Sequence, residues 1–120
     1  MPEFQKGKPY NLEERTFVFA KQASSYFRGL ARNISNTEVA RQGIRSSGSV
    51  GANFIEANEA LSRKDFLMRV KICRKEAKET IYWLKLSEPI DSGVLEQKAL
   101  IVEATELMKI FGAIIEKSKV

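Results

Sequence analysis

Residues 62–84 read SRKDFLMRVKICRKEAKETIYWL, and this stretch decides the fold. It opens with Ser62 and Asp65, which favour a helix start because the serine oxygen accepts a free backbone amide and the acid suits the positive helix end. Behind that start, apolar residues recur at intervals of three or four, at Phe66, Val70, Cys73, Ala77, Ile81 and Leu84. This spacing places them on one side of an α-helix, which we expect to face a core.

Start signals of the same kind divide the rest of the chain. Asn11 precedes Glu14, and Ser35 precedes Glu38, by the spacing of a capping box, and a weaker start lies at 91–92. These signals predict four helices, at about 11–33, 36–58, 63–87 and 93–118. The prolines fall outside these ranges, at Pro2, Pro9 and Pro89.

Short connections between helices of similar length predict antiparallel neighbours. We therefore expect an all-α, antiparallel up-down-up-down four-helix bundle that forms one domain over residues 1–120, with a flexible N-terminal segment at 1–10. The first and fourth helices add core faces of their own. These are Phe19, Ala23, Phe27, Leu30 and Ile34 in the first, and Leu100, Ala104, Leu107, Phe111 and Ile114 in the fourth.

The second helix is predicted to place small residues on its apolar side, which lets a neighbouring helix approach closely. That side consists of Ala40, Ile44, Gly48, Gly51 and Ile55. The opposite side is polar and includes Gln42 and Ser46 together with Arg45, Ser49, Asn53 and Glu56. Two interpretations of the polar side stay open: a solvated surface, or a hydrogen-bonded network against another subunit that fixes the register of the two chains.

The third helix has two further faces. One is a basic stripe, defined as Lys64, Lys71, Arg74, Lys75, Lys78, Tyr82 and Lys85. A one-sided basic stripe with an aromatic side chain suits a phosphate backbone, and the alternative is the solvated face of a mildly basic protein. The other is an apolar flank, defined as Met68, Ile72, Trp83 and Leu86. Because a helix that is apolar on two sides contacts something on both, we expect this flank to bind a second copy of the chain.

Charge and composition narrow the class of function. The net charge is +5, and residues 63–85 carry eight Lys or Arg against three acids. Histidine is absent, a single cysteine allows no internal disulfide, and no nucleotide-binding or catalytic motif occurs. We therefore expect that the protein is not an enzyme and that it binds neither a cofactor nor a metal ion. No apolar run reaches the ~18 residues of a membrane span, and no signal-peptide pattern opens the chain, so we expect a cytoplasmic protein without a membrane partner.

The most specific motif lies in the second helix, where residues 44–57 read IRSSGSVGANFIEA. It is joined by NLEERTF at 11–17, SRKDF at 62–66, KEAKETIYWL at 75–84 and EATELMKIF at 103–111. Together these segments resemble the bacterial four-helix bundle proteins. That family is also called the intervening-sequence proteins, because some members are encoded within insertions in 23S ribosomal RNA genes.

The resemblance implies a bundle that assembles into a ring, typically a homopentamer, and it implies no established activity and no catalytic residues. A related branch, the accessory proteins of diversity-generating retroelements, forms a basic pentameric barrel that binds nucleic acid and a reverse transcriptase, and is more strongly basic than this chain. The leading hypothesis is a non-enzymatic oligomer that binds RNA or DNA through the basic stripe. The alternative is a structural or protein-binding scaffold without nucleic-acid binding.

Overall fold

The computed structural model describes residues 11–119, and within that range the chain forms four α-helices and no β-strand. The helices are α1 (Leu12–Arg28), α2 (Ile34–Asn58), α3 (Arg63–Leu86) and α4 (Val94–Ser118). A short 3₁₀ turn at Asp91–Gly93 precedes α4. The predicted all-α four-helix bundle is confirmed, whereas the predicted flexible segment at 1–10 lies outside the described residues.

Successive helices run antiparallel and pack side by side. At one end of the α1–α2 contact, Asn58 donates a 2.6 Å hydrogen bond to Glu13, and further along Phe27 lies against Gly43. Residue numbers therefore rise along α1 as they fall along α2. α3 packs between α2 and α4, and α1 closes the bundle against α4. The buried apolar residues of all four helices form one core.

Two of the predicted helix starts are confirmed. The side-chain oxygens of Asn11 and Ser62 accept hydrogen bonds from the backbone amides of Glu14 and Asp65, at 3.2 and 3.1 Å. α4 begins at Val94, directly behind the 3₁₀ turn and without a side-chain cap, as the weak start signal in this region suggested.

The corner between α1 and α2 differs from the prediction. α1 ends at Arg28 rather than near 33, and α2 begins at Ile34 because Asn33, not Ser35, supplies its cap. Ile34, predicted as a core residue of the first helix, is 87% exposed. Its periodicity with the α1 stripe has no structural consequence, since the chain has left α1 five residues earlier.

Asn36 ties this corner to the connection between α3 and α4. It is 2% exposed, and its side-chain nitrogen donates to the carbonyl oxygens of Ala31 and Glu88 at 3.0 and 3.2 Å. Its side-chain oxygen accepts the Glu88 amide at 3.1 Å. One buried amide thus satisfies three backbone groups from two connections, which closes this end of the bundle.

The core faces of α1, α3 and α4 otherwise follow the prediction. The α3 stripe is buried at its centre and only partly buried at Phe66 and Ile81. Cys73 lies within that stripe and is fully buried. In α4, Ile115 rather than Ile114 completes the buried face. Apolar periodicity therefore identifies these faces to within one residue.

The predicted apolar side of α2 is wrong. Ile44, Gly48 and Ile55 are exposed, and the core side consists of Val39, Gly43, Ser46, Ser47, Val50, Gly51, Phe54 and Ala57. Two serines are buried there because their hydroxyls donate to carbonyl oxygens one turn earlier in α2, at 3.3 and 3.2 Å. Ser47 needs no partner outside α2, and Ser46 also lies 2.8 Å from the hydroxyl of Thr80 on α3, so hydrophobicity does not mark the face that the two serines occupy.

Two glycines of α2 mark where α1 approaches it most closely. A Cβ atom on Gly43 would overlap the ring of Phe27, and one on Gly51 would lie 2.9 Å from the hydroxyl oxygen of Thr16. At Gly48 a Cβ atom would meet no atom within 4 Å. The close approach predicted for the small residues of this helix therefore holds at Gly51 and not at Gly48, and it also occurs at Gly43, which lay outside the predicted apolar side.

We predict opposite effects for two alanine substitutions in α2. Gly43→Ala lowers the free energy of unfolding by about 1–3 kcal/mol, because the core must shift to admit a methyl group. Gly48→Ala is the matched control and raises it by up to about 1 kcal/mol, because alanine is the better helix former and meets no neighbour. Urea unfolding followed by circular dichroism measures both. Equal effects would contradict the close packing of α1 on α2.

Candidate nucleic-acid interface

The seven residues of the basic stripe are all exposed on the outer side of α3. At 3.6 residues per turn they fall within an arc of about 100°, and they extend along about 32 Å of the helix. None of their six charged side chains forms an ion pair with another residue of the described range 11–119. The stripe therefore presents a row of unpaired cations to the solvent.

Two acids of α3 are held on its other side by α2. The Nη2 atom of Arg45 lies 3.3 Å from Oε1 of Glu76 and 2.7 Å from Oε2 of Glu79. Glu76 is 7% exposed, so its carboxylate is largely removed from water. The hydrogen bond to Glu79 is the main cause that raises the pKa of Arg45, and the charges of both acids add to it. Two of the three acids of α3 are thus paired with Arg45 on the side of the helix that faces α2.

Glu79 also holds an aromatic pair in place. Its Oε2 atom accepts a 3.0 Å hydrogen bond from Nε1 of Trp83, and this bond is the main cause that lowers the pKa of Glu79, with Arg45 as a further cause. The rings of Trp83 and Tyr82 meet edge to face, with centroids 5.0 Å apart and planes at 77°. Tyr82 is 58% exposed and so presents a held aromatic ring within the basic stripe.

The rest of the predicted polar network joins α2 to the first half of α3. The side-chain nitrogen of Asn53 donates to the carbonyl and hydroxyl oxygens of Ser49, both at 2.9 Å, and its oxygen accepts from Arg69 at 3.0 Å. Glu56 is exposed, and these contacts do not include it. The polar side of α2 is therefore bonded to α3 of the same chain at Arg45 and Asn53.

The sequence did not identify the α3 partners in this network. The charges of Glu76, Glu79 and Arg69 follow from the sequence, but nothing in a single sequence fixes which turn of α2 each one meets. The available signal is their position at the boundary between the core stripe and the solvent side, where a charged residue meets the neighbouring helix.

The four residues of the apolar flank of α3 differ in their exposure to solvent. Met68 and Leu86 are 51% and 46% exposed, whereas Ile72 and Trp83 are partly buried. Large apolar side chains left on the outside of a bundle mark a surface that suits a partner. The flank and the basic stripe adjoin each other along α3, and the rings of Trp83 in the flank and Tyr82 in the stripe are in contact.

Residues 11–119 give little support to a cysteine nucleophile, a metal site or a membrane-spanning helix. Burial raises the pKa of the Cys73 thiol to about 12, so at neutral pH the thiol is protonated and a poor nucleophile. Within the same residues, no group of three or more His, Cys, Asp or Glu side chains could hold a metal ion. None of the described helices combines the length and the apolar character needed to cross a membrane.

Comparison with known proteins places the chain in a family. A family model described as 23S rRNA-intervening sequence protein matches residues 10–113. The chain belongs to this family. The resemblance carried by the motif at 44–57 is thereby confirmed. A comparison with curated proteins gives no match.

A solved structure from Bacteroides thetaiotaomicron shares the fold. It is described as a protein with unknown function from the S23 ribosomal protein family, and it is 28% identical with a TM-score of 0.75. The alignment covers 88% of this chain and 98% of that one. The two chains therefore agree over almost the whole bundle, and that description assigns no activity.

We predict that Arg45→Ala lowers the free energy of unfolding at pH 7 by about 1–3 kcal/mol, because the largely buried carboxylate of Glu76 loses its partner. Arg41→Ala, one turn earlier on the exposed side of α2, is the control, with a change below about 0.5 kcal/mol. The measurement is urea unfolding of both variants and the wild type.

The loss of stability in Arg45→Ala should also depend on pH. The pKa of Glu79 is lowered from 4.5 in the folded state, so its stabilising contribution is present above that pH and is lost as the pH falls through the folded value. Arg45 is one cause of this lowered pKa, behind the hydrogen bond from Trp83 that the variant keeps, so the deficit of Arg45→Ala should shrink in part as the pH falls below 4.5. A deficit that equals that of Arg41→Ala at pH 7 would contradict the role given to Arg45.

Proposed function

We propose that this chain is a non-enzymatic, self-assembling protein of the cytoplasm that binds RNA or DNA independently of sequence through the basic stripe of α3. One observation carries the proposal: within residues 11–119 the cations of the stripe are exposed and form no ion pair, while Arg45 engages Glu76 and Glu79 on the side of α3 that faces α2. A phosphate backbone is a row of negative charges, to which such a stripe is complementary.

The composition of the stripe supports binding without base recognition. Five of its six cations are lysines. A lysine ammonium is a compact charge on a flexible stem and lacks the planar, two-pronged geometry with which arginine recognises guanine. We expect affinity to come from counterion release and to fall with salt, with a log–log slope of about −0.7 to −0.9 per phosphate neutralised.

Self-assembly is proposed from the apolar flank. Burying Met68 and Leu86 in a contact with a second copy would remove apolar surface from water, at about 25 cal/mol for each Å². The resemblance to the family implies a ring, typically a pentamer. A ring would repeat the basic stripe in every subunit, and several linked stripes on one polyanion gain affinity by avidity.

The same flank supports a second candidate function, a structural or protein-binding scaffold without nucleic-acid binding. In that case the apolar flank is the functional surface, and the lysines keep the assembly in solution. The two functions differ in one observable, which is salt-dependent binding of nucleic acid.

We predict that the wild type binds a labelled oligonucleotide of mixed sequence at low salt and that Lys71→Glu/Lys75→Glu/Lys78→Glu binds it at least about 100-fold more weakly. The reason is that the substitutions reverse the charge at the centre of the stripe. Fluorescence anisotropy titrations at two salt concentrations measure both affinities and the salt slope.

A charge-matched triple variant is the control for this test. Lys21→Glu/Arg41→Glu/Lys117→Glu changes the net charge equally, but at exposed positions on the other three helices. It should stay within about threefold of the wild type, because long-range charge is screened beyond about 10 Å. Equal loss in the two triple variants, or no binding by the wild type at low salt, would remove the nucleic-acid role and leave the scaffold.

We predict that Ile72→Glu dissociates the assembly with little change in helix content, because it buries a charge in an apolar contact. Multi-angle light scattering should give the wild type a mass several times the 13.6 kDa of the chain, and five times that value for a pentamer. Leu61→Glu is the control, since Leu61 is 98% exposed in the α2–α3 connection. A stable wild-type monomer at micromolar concentration would disprove self-assembly.

A further inference from the structure

Tyr82 is an aromatic ring placed in a row of lysines. Lys78 lies four residues before it and Lys85 three residues after it, a spacing that makes side chains neighbours on one helix face, with Cβ atoms about 5–6 Å apart. Tyr82 and both lysines are exposed. A ligand that follows the lysines along α3 therefore passes over the tyrosine ring.

The ring of Tyr82 is held by contacts that lead back to α2. It packs edge to face on Trp83 with centroids 5.0 Å apart, Trp83 donates a 3.0 Å hydrogen bond to Glu79, and Glu79 lies 2.7 Å from Arg45. A side chain that is already ordered loses less conformational entropy when a ligand stacks on it. These contacts therefore lower the conformational entropy that Tyr82 would lose when a base stacks on its ring.

We propose, resting on the nucleic-acid binding proposed above, that Tyr82 is a stacking platform for an unpaired nucleobase and that the ligand is single-stranded rather than double-stranded nucleic acid. The base stacks on the ring while Lys78 and Lys85 contact phosphates on either side. In a duplex, both faces of a base are covered by its neighbours, so a duplex meets the lysines but not the ring. Stacking of this kind tolerates any sequence, because every base has a π-face.

Charge alone predicts the opposite preference. A duplex carries one phosphate charge per about 1.7 Å of axis, against about 3.4 Å for each strand, so a purely electrostatic stripe binds the duplex more tightly. A preference for the single strand would therefore report stacking and not charge. The ratio of single-strand to duplex affinity therefore tests stacking on the protein separately from nucleic-acid binding itself.

The test is an anisotropy titration of the full chain with a single strand of about 20 nucleotides and with the duplex of the same sequence. The wild type should bind the single strand at least about fivefold more tightly than the duplex. Tyr82→Ala should weaken single-strand binding by at least about fivefold and duplex binding by less than about twofold. Tyr82→Phe, which keeps the ring, is the control and should match the wild type.

Trp83 gives a second readout in the unmodified protein. It is the only tryptophan of the chain, and its ring contacts that of Tyr82. The fluorescence emission of Trp83 should change when the protein is saturated with the single strand, and it should stay unchanged when the protein is saturated with the duplex. Light scattering and circular dichroism of Tyr82→Ala should match the wild type, which excludes a loss of assembly or fold as the cause of weaker binding.

The outcomes distinguish the two proposals. Overturning results for Tyr82 are a duplex bound as tightly as the single strand, or a Tyr82→Ala variant that keeps single-strand affinity; either one leaves the charge-driven function in place. Absence of binding to both ligands by the wild type at low salt overturns the function and the inference together. The comparison of strand and duplex on the wild type tests whether a base stacks on the protein, and Tyr82→Ala tests whether it stacks on Tyr82.

Discussion

The arrangement of side chains on the outer face of α3 depends on the ion pairs that the guanidinium of Arg45 forms. It lies against Glu76 and Glu79 of the neighbouring helix, and so it pairs the negative charge of α3 on the side that faces α2. The cations of the basic stripe lie on the solvent side and form no ion pair within residues 11–119. Through Glu79 the same contact orders Trp83, and through Trp83 it orders Tyr82. The two ion pairs of Arg45 therefore contribute both to the packing of α2 on α3 and to the arrangement of the exposed face of α3.

The packing of α2 makes this arrangement possible. Glycines at 43 and 51 bring α1 close, and buried hydroxyls join α2 to α3, where Ser46 and Thr80 are 2.8 Å apart. Glycines and serines occupy part of the core side of α2 beside Val39, Val50 and Phe54, and Arg45 on its polar side reaches across to α3. The helix therefore combines an apolar contribution to the core with polar contacts that fix its register against α3.

Apolar periodicity predicts α1, α3 and α4 well, because large side chains mark their buried faces. It fails for α2, where Ser46 and Ser47 are buried and Ile44 and Ile55 are not. The basic stripe follows from residue spacing on α3 alone and is recovered. The pairing of Arg45 with Glu79 is not recovered, because it depends on the register between two helices, which only the packed structure defines.

The central claim is that nucleic acid lies along α3 with a base on Tyr82. Photocrosslinking of a single strand that carries 5-bromouracil, followed by tryptic digestion and mass spectrometry, tests it directly. Cleavage after Lys78 and Lys85 releases residues 79–85, ETIYWLK, which contain Tyr82. The account predicts that the crosslinked base is found on this peptide. Crosslinks confined to peptides of α1 or α4, with residues 79–85 unmodified, would contradict it.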